Sequence, residues 1–479
     1  MSGQPLRSRR AFLTGAGALG LLGLLAACGP AATPTPAQPA AAPAAAAAVP
    51  KPAEPRPAQG APGTRPAAAA PSTAGPVAIG VSVWGDVTDK QTYDNITADF
   101  MKANPTVKVT PDQWVEGYYD KLQTVLAAGT APDVLYTESY SWQAYAARGA
   151  FTPIDDYRNK DKVDLWPDLP LYRAYTQFRG KLYSVVVDTG NCVTFYLKEP
   201  FDKAGVPYPK AGWTIDQYWE TARKLTDPAA KQYGANQQWN YLLQQPLWRA
   251  NGVEEFDQVV EPTKAKFDDP VIVDTMQTYV TDAINKLKVT PAPADLKGGA
   301  IGLNQGNIAM YHTGPWYLPR LWGKDASKAG GVKFDVTPNP AGKSGKTAHF
   351  TDASNEQLNA QSKHKDEAWV LIKWIGSEEG QKRVVEGGRM PNLPEMTKRL
   401  WVDRAKKDYN FEHAEVFLDA YQTGVMPMCG GVSVDQLNQK AFRPAIDAMA
   451  NGTSAKDAMA ECQKNAQKML DDYWAAQKK

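Results

Sequence analysis

The strongest constraint on this chain is the alternation of short apolar runs and amphipathic stretches that begins at Val77. "VAIGVSVW", Val77 to Trp84, is rich in β-branched residues and ends at Gly85-Asp86. A helix is predicted next, because Thr92 to Ala103 carries Tyr93, Ile96, Phe100 and Met101 on one face and Asn104-Pro105 stops it. Thr106 to Thr110 alternates as a second strand, and Tyr118 to Ala128 reads as an amphipathic helix closed by Gly129. Pro132 to Tyr136 is a buried third strand with Glu138-Ser139-Tyr140 at its carboxyl end. This β-α-β-α-β order predicts a sheet covered on both faces. In such sheets ligands gather just beyond the carboxyl ends of the strands, where Trp84, Asp86, Glu138 and Tyr140 stand.

Nothing before Val77 can join that core. Arg7, Arg9 and Arg10 precede an apolar run from Ala11 to Ala27, and "LAA" leads into Cys28. A basic flank, a short apolar region and small residues before a boundary form the pattern of an export signal rather than a spanning helix. Arg9-Arg10 before Phe12-Leu13 resembles a twin-arginine signal, and Leu25 to Cys28 resembles the bacterial lipobox, in which the cysteine takes lipid and becomes the first mature residue. Gly29 to Pro76 is dominated by Ala and Pro and lacks aromatic or periodic apolar residues. It is predicted to be a disordered tether, reaching on the order of 150 Å at about 3.1 Å per residue if fully extended. Residues 1–27 are therefore read as an export signal and 28–76 as a lipidated cysteine with its tether.

Roughly 400 residues remain, more than one core usually serves, so two lobes are expected. Charge is balanced, 53 Lys and Arg against 51 Asp and Glu, with no basic stripe to bind nucleic acid. His312, His349, His364 and His413 lie far apart without ligand spacing, which argues against a metal site. From Val77 onward no Gly-rich phosphate loop, dinucleotide fingerprint or serine nucleophile elbow is present, and the Gly15-x-Gly17-x-x-Gly20 string lies inside the apolar run before Cys28, so no cofactor is expected and any ATP hydrolysis belongs to another subunit. Cys192, Cys429 and Cys462 allow one disulfide and one free thiol, with no pairing specified. Fourteen Trp and 21 Tyr exceed the usual needs of a core, and several stand beside Gly, Asn, Asp or Pro. Flat aromatic faces suit the apolar faces of sugar rings, although most of these side chains are expected to pack internally.

Several segments then carry a resemblance. "ITADFMKANPTVKV", "YYDKLQTVLAAGTAPDVLYTES", "ARGAFTPIDDY", the long run from Gly180 to Thr226, "NQGNIAMYHTGPWYLPRL" and "QSKHKDEAWVLIKWIGSEEGQKRVVEGGRMPNLPEM" occur in the order found in family 1 extracellular solute-binding proteins, the sugar-binding receptors of ABC importers. The resemblance spans nearly all of Val77 to Lys479. The chain departs from it at Tyr196-Leu197, at Val185 to Val187, and at Thr351 to Ala360, which lacks the glycine-rich strand usual at the second crossing. The resemblance implies an α/β, two-lobed periplasmic-binding-protein fold of type II-like form, each lobe a sheet flanked by helices, with the ligand cleft between lobes. It places one lobe at 77–190 plus 345–390 and the other at 191–344 plus 391–479. It also implies an exported, monomeric, non-enzymatic receptor, held on the outer face of the cytoplasmic membrane by lipid on Cys28, that captures a small solute and delivers it to an ABC permease with a separate ATPase. A solute touching both lobes favours the closed form by differential affinity.

Trp316, in Gly314-Pro315-Trp316, matches the Gly-Pro-Trp of a maltose-type receptor and is expected to offer its ring to a sugar. Asp86 and Glu138 are expected either to accept hydrogen bonds from hydroxyl pairs or to cap helix N-termini. Asp188 and Asn191 are expected in a polar loop at the first crossing. Trp84 and Trp239 are candidate stacking platforms, and Tyr140, Tyr118, Asp352 and Met426 complete the candidate site. Other readings remain open. An anionic solute such as a glycerol phosphate could use Arg389 or Arg249. A polyamine could use a cage of Asp86, Glu138, Trp84 and Trp316. A secreted glycoside hydrolase could cast Asp86 and Glu138 as its two carboxylates. A tethered scaffold would engage only other proteins.

Overall fold

The computed structural model describes residues 75–115, 117–236, 241–321, 331–409, 412–427 and 430–478. The export signal, Cys28 and the tether lie outside the described residues. All described elements belong to the compact unit Thr73–Lys479.

Strand β1 (Val77–Trp84) pairs in parallel with β2 (Val107–Trp114) on one side and β3 (Val134–Glu138) on the other. Helix α1 (Val87–Ala103) starts earlier than its apolar spacing predicts, because a capping box extends it. Asp86 accepts from the Thr88 amide at 2.8 Å, and Asp89 accepts from the Asp86 amide at 2.8 Å. Its buried face, Tyr93, Ile96 and Phe100, recurs at helical spacing and lies on the sheet. Helix α2 (Tyr118–Ala128) ends where Gly129 takes a left-handed φ of 67°, a conformation other residues adopt at a steric cost.

The next sheet strands come from further along the chain. β4 (Gln177–Phe178) and β5 (Lys181–Leu182) form a small hairpin, after which β6 (Ser184–Asn191) enters the first sheet and β7 (Val193–Leu197) enters a second. The chain thus passes from one sheet to the other across Cys192. The polar loop expected at Asp188 to Asn191 is instead continuous strand, because every residue of β6 is buried and its backbone pairs with a neighbour on both edges. The second sheet consists of β7, β8 (Tyr233–Asn236), β9 (Ile308–Thr313) and β10 (Phe334–Thr337), in the order β10-β7-β9-β8.

From β10 the chain returns to the first sheet as β11 (His349–Leu358), which runs antiparallel between β3 and β6. Although this segment lacks glycine, it forms a full central strand: Ser354 and Gln357 bond to side chains of β3 and β6, and Glu356 accepts from Tyr93 of α1. β12 (Met390–Pro391) pairs with β6 and β13 (Gly424–Val425) with β11, giving the order β12-β6-β11-β3-β1-β2 with β13 to one side. Helices Lys365–Gly376 and Glu378–Glu386 pack with the first sheet, where Trp369, Leu371, Ile372 and Ile375 join the same core as Ile79, Val81 and Phe100. Each such fully buried apolar side chain contributes about 1.5–3 kcal/mol. A second core unites helices Tyr241–Arg249, Pro270–Met276, Arg443–Ala450 and Ala455–Gln477. The result is a bilobed α/β architecture whose two sheets are each assembled from discontinuous segments.

Cys192 and Cys462 are both free and buried, so neither takes part in the disulfide that the cysteine count allowed; Cys429 lies outside the described residues. Among the described residues no helix is long and apolar enough to cross a membrane.

Candidate functional site

The register of the first sheet sets out one polar row. Ser354 on β11 stands opposite Glu138 on β3 and Asp188 on β6, and Asp352, two residues earlier, stands opposite Gly190. Residues two apart in a strand share a face, and diagonal neighbours lie within reach of long side chains. Glu138, Asp352, Asp188 and Ser354 therefore converge at the carboxyl end of β3. They line a cavity of about 590 Å³ together with Trp84, Asp86, Tyr140, Trp316 and Arg389. Leu242, Leu243 and Arg320 reach it from beyond the first sheet.

Close approach fixes the Trp316 indole. It lies over Gly190 and Gly314, where an added Cβ would meet its Cζ3 atom at 2.6 and 2.1 Å, so only glycine leaves room for the ring. Trp316 is half-buried, with one part of the indole packed and the rest facing the cavity. The Trp84 ring is held by Tyr118, Tyr119 and Tyr136, with centroids 6.1, 6.2 and 6.2 Å away.

The acids divide into two groups. Arg389 donates to Asp89 at 2.5 and 2.8 Å and to Asp188 at 3.2 Å, so its charge is already matched. Asp188 also accepts from the Ser354 hydroxyl at 2.9 Å; burial still pushes its carboxyl above the usual range, with Arg389 opposing. Glu138 and Asp352 form no ion pair among the described residues. The Tyr136 hydroxyl lies 2.6 Å from Glu138, and the Ser139 hydroxyl donates to Asp352 at 2.6 Å. The register sets Asp352 diagonally across from Glu138 on one face of the sheet, within reach of that long side chain. Burial first, and the neighbouring Asp352 second, push Glu138 well up, while burial raises Asp352 to about 6.

Of the residues singled out from the sequence, Trp84, Asp86, Glu138, Tyr140, Asp188, Trp316 and Asp352 line this cavity. Asp86 is also the α1 cap, so part of its acceptor capacity is used within the helix. Tyr118 does not line it: its hydroxyl is buried, bonded to Ser82 at 2.8 Å and donating to the Tyr136 carbonyl at 2.7 Å, and its ring borders a separate cavity of about 550 Å³ that Trp84 also lines. Asn191 is fully buried and spends its amide on the Phe417 carbonyl at 2.7 Å. Met426 is buried in a small cluster with Tyr172 and Val186. Trp239 lies outside the described residues.

Arg249 is also away from the cavity, donating to buried Glu255 at 2.7 and 3.0 Å. Sequence reasoning missed Asp89, Ser354, Leu242 and Arg320. Of these only Asp89 left a signal, the three-residue spacing from Asp86 that marks a capping box. Among the described residues one trio, Asp335, Glu412 and His413, places potential cation ligands within 4.8 Å of one another. It lies apart from the cavity, and the Lys198 ammonium, 3.0 Å from Glu412 and 3.7 Å from Asp335, already supplies a positive charge.

A family model for bacterial extracellular solute-binding proteins matches residues 84–382. The chain belongs to this family. Membership implies an extracytoplasmic, non-catalytic receptor that works with ABC permease and ATPase components. This solute-binding protein is 25% identical to an arabinooligosaccharide-binding protein of Bacillus subtilis (strain 168) over 404 residues, 80% of this chain and 88% of the relative. Its fold matches an ABC substrate-binding protein from Listeria monocytogenes, solved in complex with cycloalternan, at a TM-score of 0.72 and 25% identity, over 83% of this chain and 99% of the other. The GacH receptor of Streptomyces glaucescens, solved unliganded and with acarbose, matches at a TM-score of 0.69 and 23% identity, over 83% and 99% of the two chains.

Proposed function

We propose that this solute-binding protein captures a carbohydrate, an oligosaccharide in our reading, and delivers it to an ABC importer. The observation that carries the reading is the cavity itself: two indoles, Trp84 and Trp316, border a volume of about 590 Å³ whose sheet edge is lined with hydrogen-bonding oxygen atoms. An apolar sugar face stacks on an indole, while its hydroxyls donate to carboxylates. Arg389 is committed to Asp89 and Asp188, but Arg320 also lines the cavity, so an anionic solute stays a competitor to be tested. The same acids keep a polyamine as a competing solute to be tested. Lobes at 77–190 plus 345–390 and at 191–344 plus 391–479 would close on the solute. An export signal over 1–27, lipid on Cys28 and a tether to residue 76 would hold the receptor near its permease and raise the effective concentration there.

Thermal-shift screening of the chain against mono- and oligosaccharides, with spermidine and glycerol phosphate as comparators, tests this. A ligand that binds only the native state adds about 2.7 kcal/mol at 100 times Kd. A selective shift with one sugar class is expected. A shift only with spermidine or glycerol phosphate would replace the solute class, and no shift with any probe would favour a scaffold.

A further inference from the structure

Glu138 and Asp352 present a problem of charge. Both carboxyl groups line the cavity as diagonal neighbours on one face of β3 and β11, and neither has a cation partner among the described residues. Two arginines line the same cavity: Arg389 directs its hydrogen bonds to Asp89 and Asp188, and Arg320 lies over the Tyr317 ring. The groups facing the pair are Asp188 on β6, Tyr136 on β3, Tyr119 on α2, and Tyr140, Cys192 and Ser139 in the adjoining loops and crossing. One of these is a further acid, and none is a base. Two neighbouring carboxylates without a cation partner repel one another, which favours keeping one proton between them.

We propose that Glu138 and Asp352 share a single proton in the ligand-free cavity and that this proton, donated to an oxygen of an uncharged solute, makes solute binding fall with rising pH. The second clause rests on the carbohydrate reading; the first does not. The pair would then offer one O–H donor beside its acceptors, which a ring oxygen or a glycosidic oxygen requires and a fully ionised floor cannot supply. The direction of the Glu138 and Asp352 titrations, both upward, agrees with this geometry. Above the ionisation that removes the shared proton, affinity for an uncharged sugar would fall about tenfold per pH unit.

Two measurements on the full chain decide it. Carboxyl-carbon NMR of the ligand-free protein between pH 4 and 9 should show Glu138 protonated well above the ordinary range, with a midpoint that moves down in Asp352→Asn. A Glu138 midpoint unchanged by that substitution, or a Glu138 and Asp352 both ionised at pH 5, would overturn the shared proton whatever the solute. Binding of maltotriose, or of whichever neutral sugar the screen selects, is then followed by calorimetry across the same range. Wild type should weaken as pH rises, whereas Glu138→Gln, which keeps a donor and an acceptor but cannot titrate, should bind with a flat profile. A flat wild-type profile overturns the proposal. If no sugar binds but the coupled titration is present, the carbohydrate reading fails and the shared proton stands.

Discussion

Glu356 should make the stability of this receptor depend on pH. It sits near the carboxyl end of β11, fully buried, with one oxygen accepting from the Tyr93 hydroxyl and the other without a partner among the described residues. Burial, opposed by the Tyr93 bond and assisted by Asp188, raises its pKa from 4.5 to about 8. A carboxyl whose folded pKa is raised binds its proton more tightly in the native state. Its contribution is therefore fully present below pH 4.5 and is lost as pH climbs through about 8. At 1.36 kcal/mol per pKa unit, the loss between those limits is on the order of 5 kcal/mol, a large fraction of an ordinary domain's stability. Glu356→Gln keeps the acceptor for Tyr93 and removes the titration. Urea unfolding of both proteins at pH 5 and pH 8.5 should give similar stabilities at the lower pH and a clear advantage for the glutamine variant at the higher. Other titrating groups cancel in the difference between the two proteins. A difference that does not change between pH 5 and 8.5 would refute the reasoning, since it would mean that Glu356 ionises in the native state as readily as in the unfolded one.

Further outcomes follow from the same geometry. Trp316→Ala should abolish the thermal shift produced by a bound sugar, with a near-UV spectrum otherwise native; an unchanged shift would remove the indole from the site. Gly190→Ala forces a Cβ to within 2.6 Å of the Trp316 ring and should weaken solute binding at least several-fold with a native far-UV spectrum, because the ring must move to make room. Arg389→Met leaves Asp188 and Asp89 without their cation and should cost about 3 kcal/mol in denaturant unfolding at pH 7, with a smaller loss at pH 4.5, where Asp188, raised by burial, takes up its proton more readily. Cys28→Ser should release the protein from the membrane fraction into the medium, and retention would refute the lipid anchor.

The alternation from Val77 to Glu138 was legible because strand and helix periods differ and because Asp86, Asn104-Pro105 and Gly129 mark the ends of elements by local chemistry. The same locality placed Trp84 and Glu138 at strand ends, whereas Trp316 was a candidate through the resemblance of Gly314-Pro315-Trp316 to the Gly-Pro-Trp of a maltose-type receptor. Asp86 showed the limit of such reasoning, since a cap and a cavity-lining acid look alike in sequence and here one residue is both. Asn191 and Met426 were polar or adaptable residues near the right segments, and only the packing of Phe417 and Tyr172 around them turned them inward. What the sequence alone determined was the set of local elements and the family pattern they form. Only the tertiary structure decided that β11, arriving more than two hundred residues after β3, would slot between β3 and β6 and bring Asp352 against Glu138. That contact depends on strand register, which is set by the fit of whole buried faces rather than by any short stretch of chain.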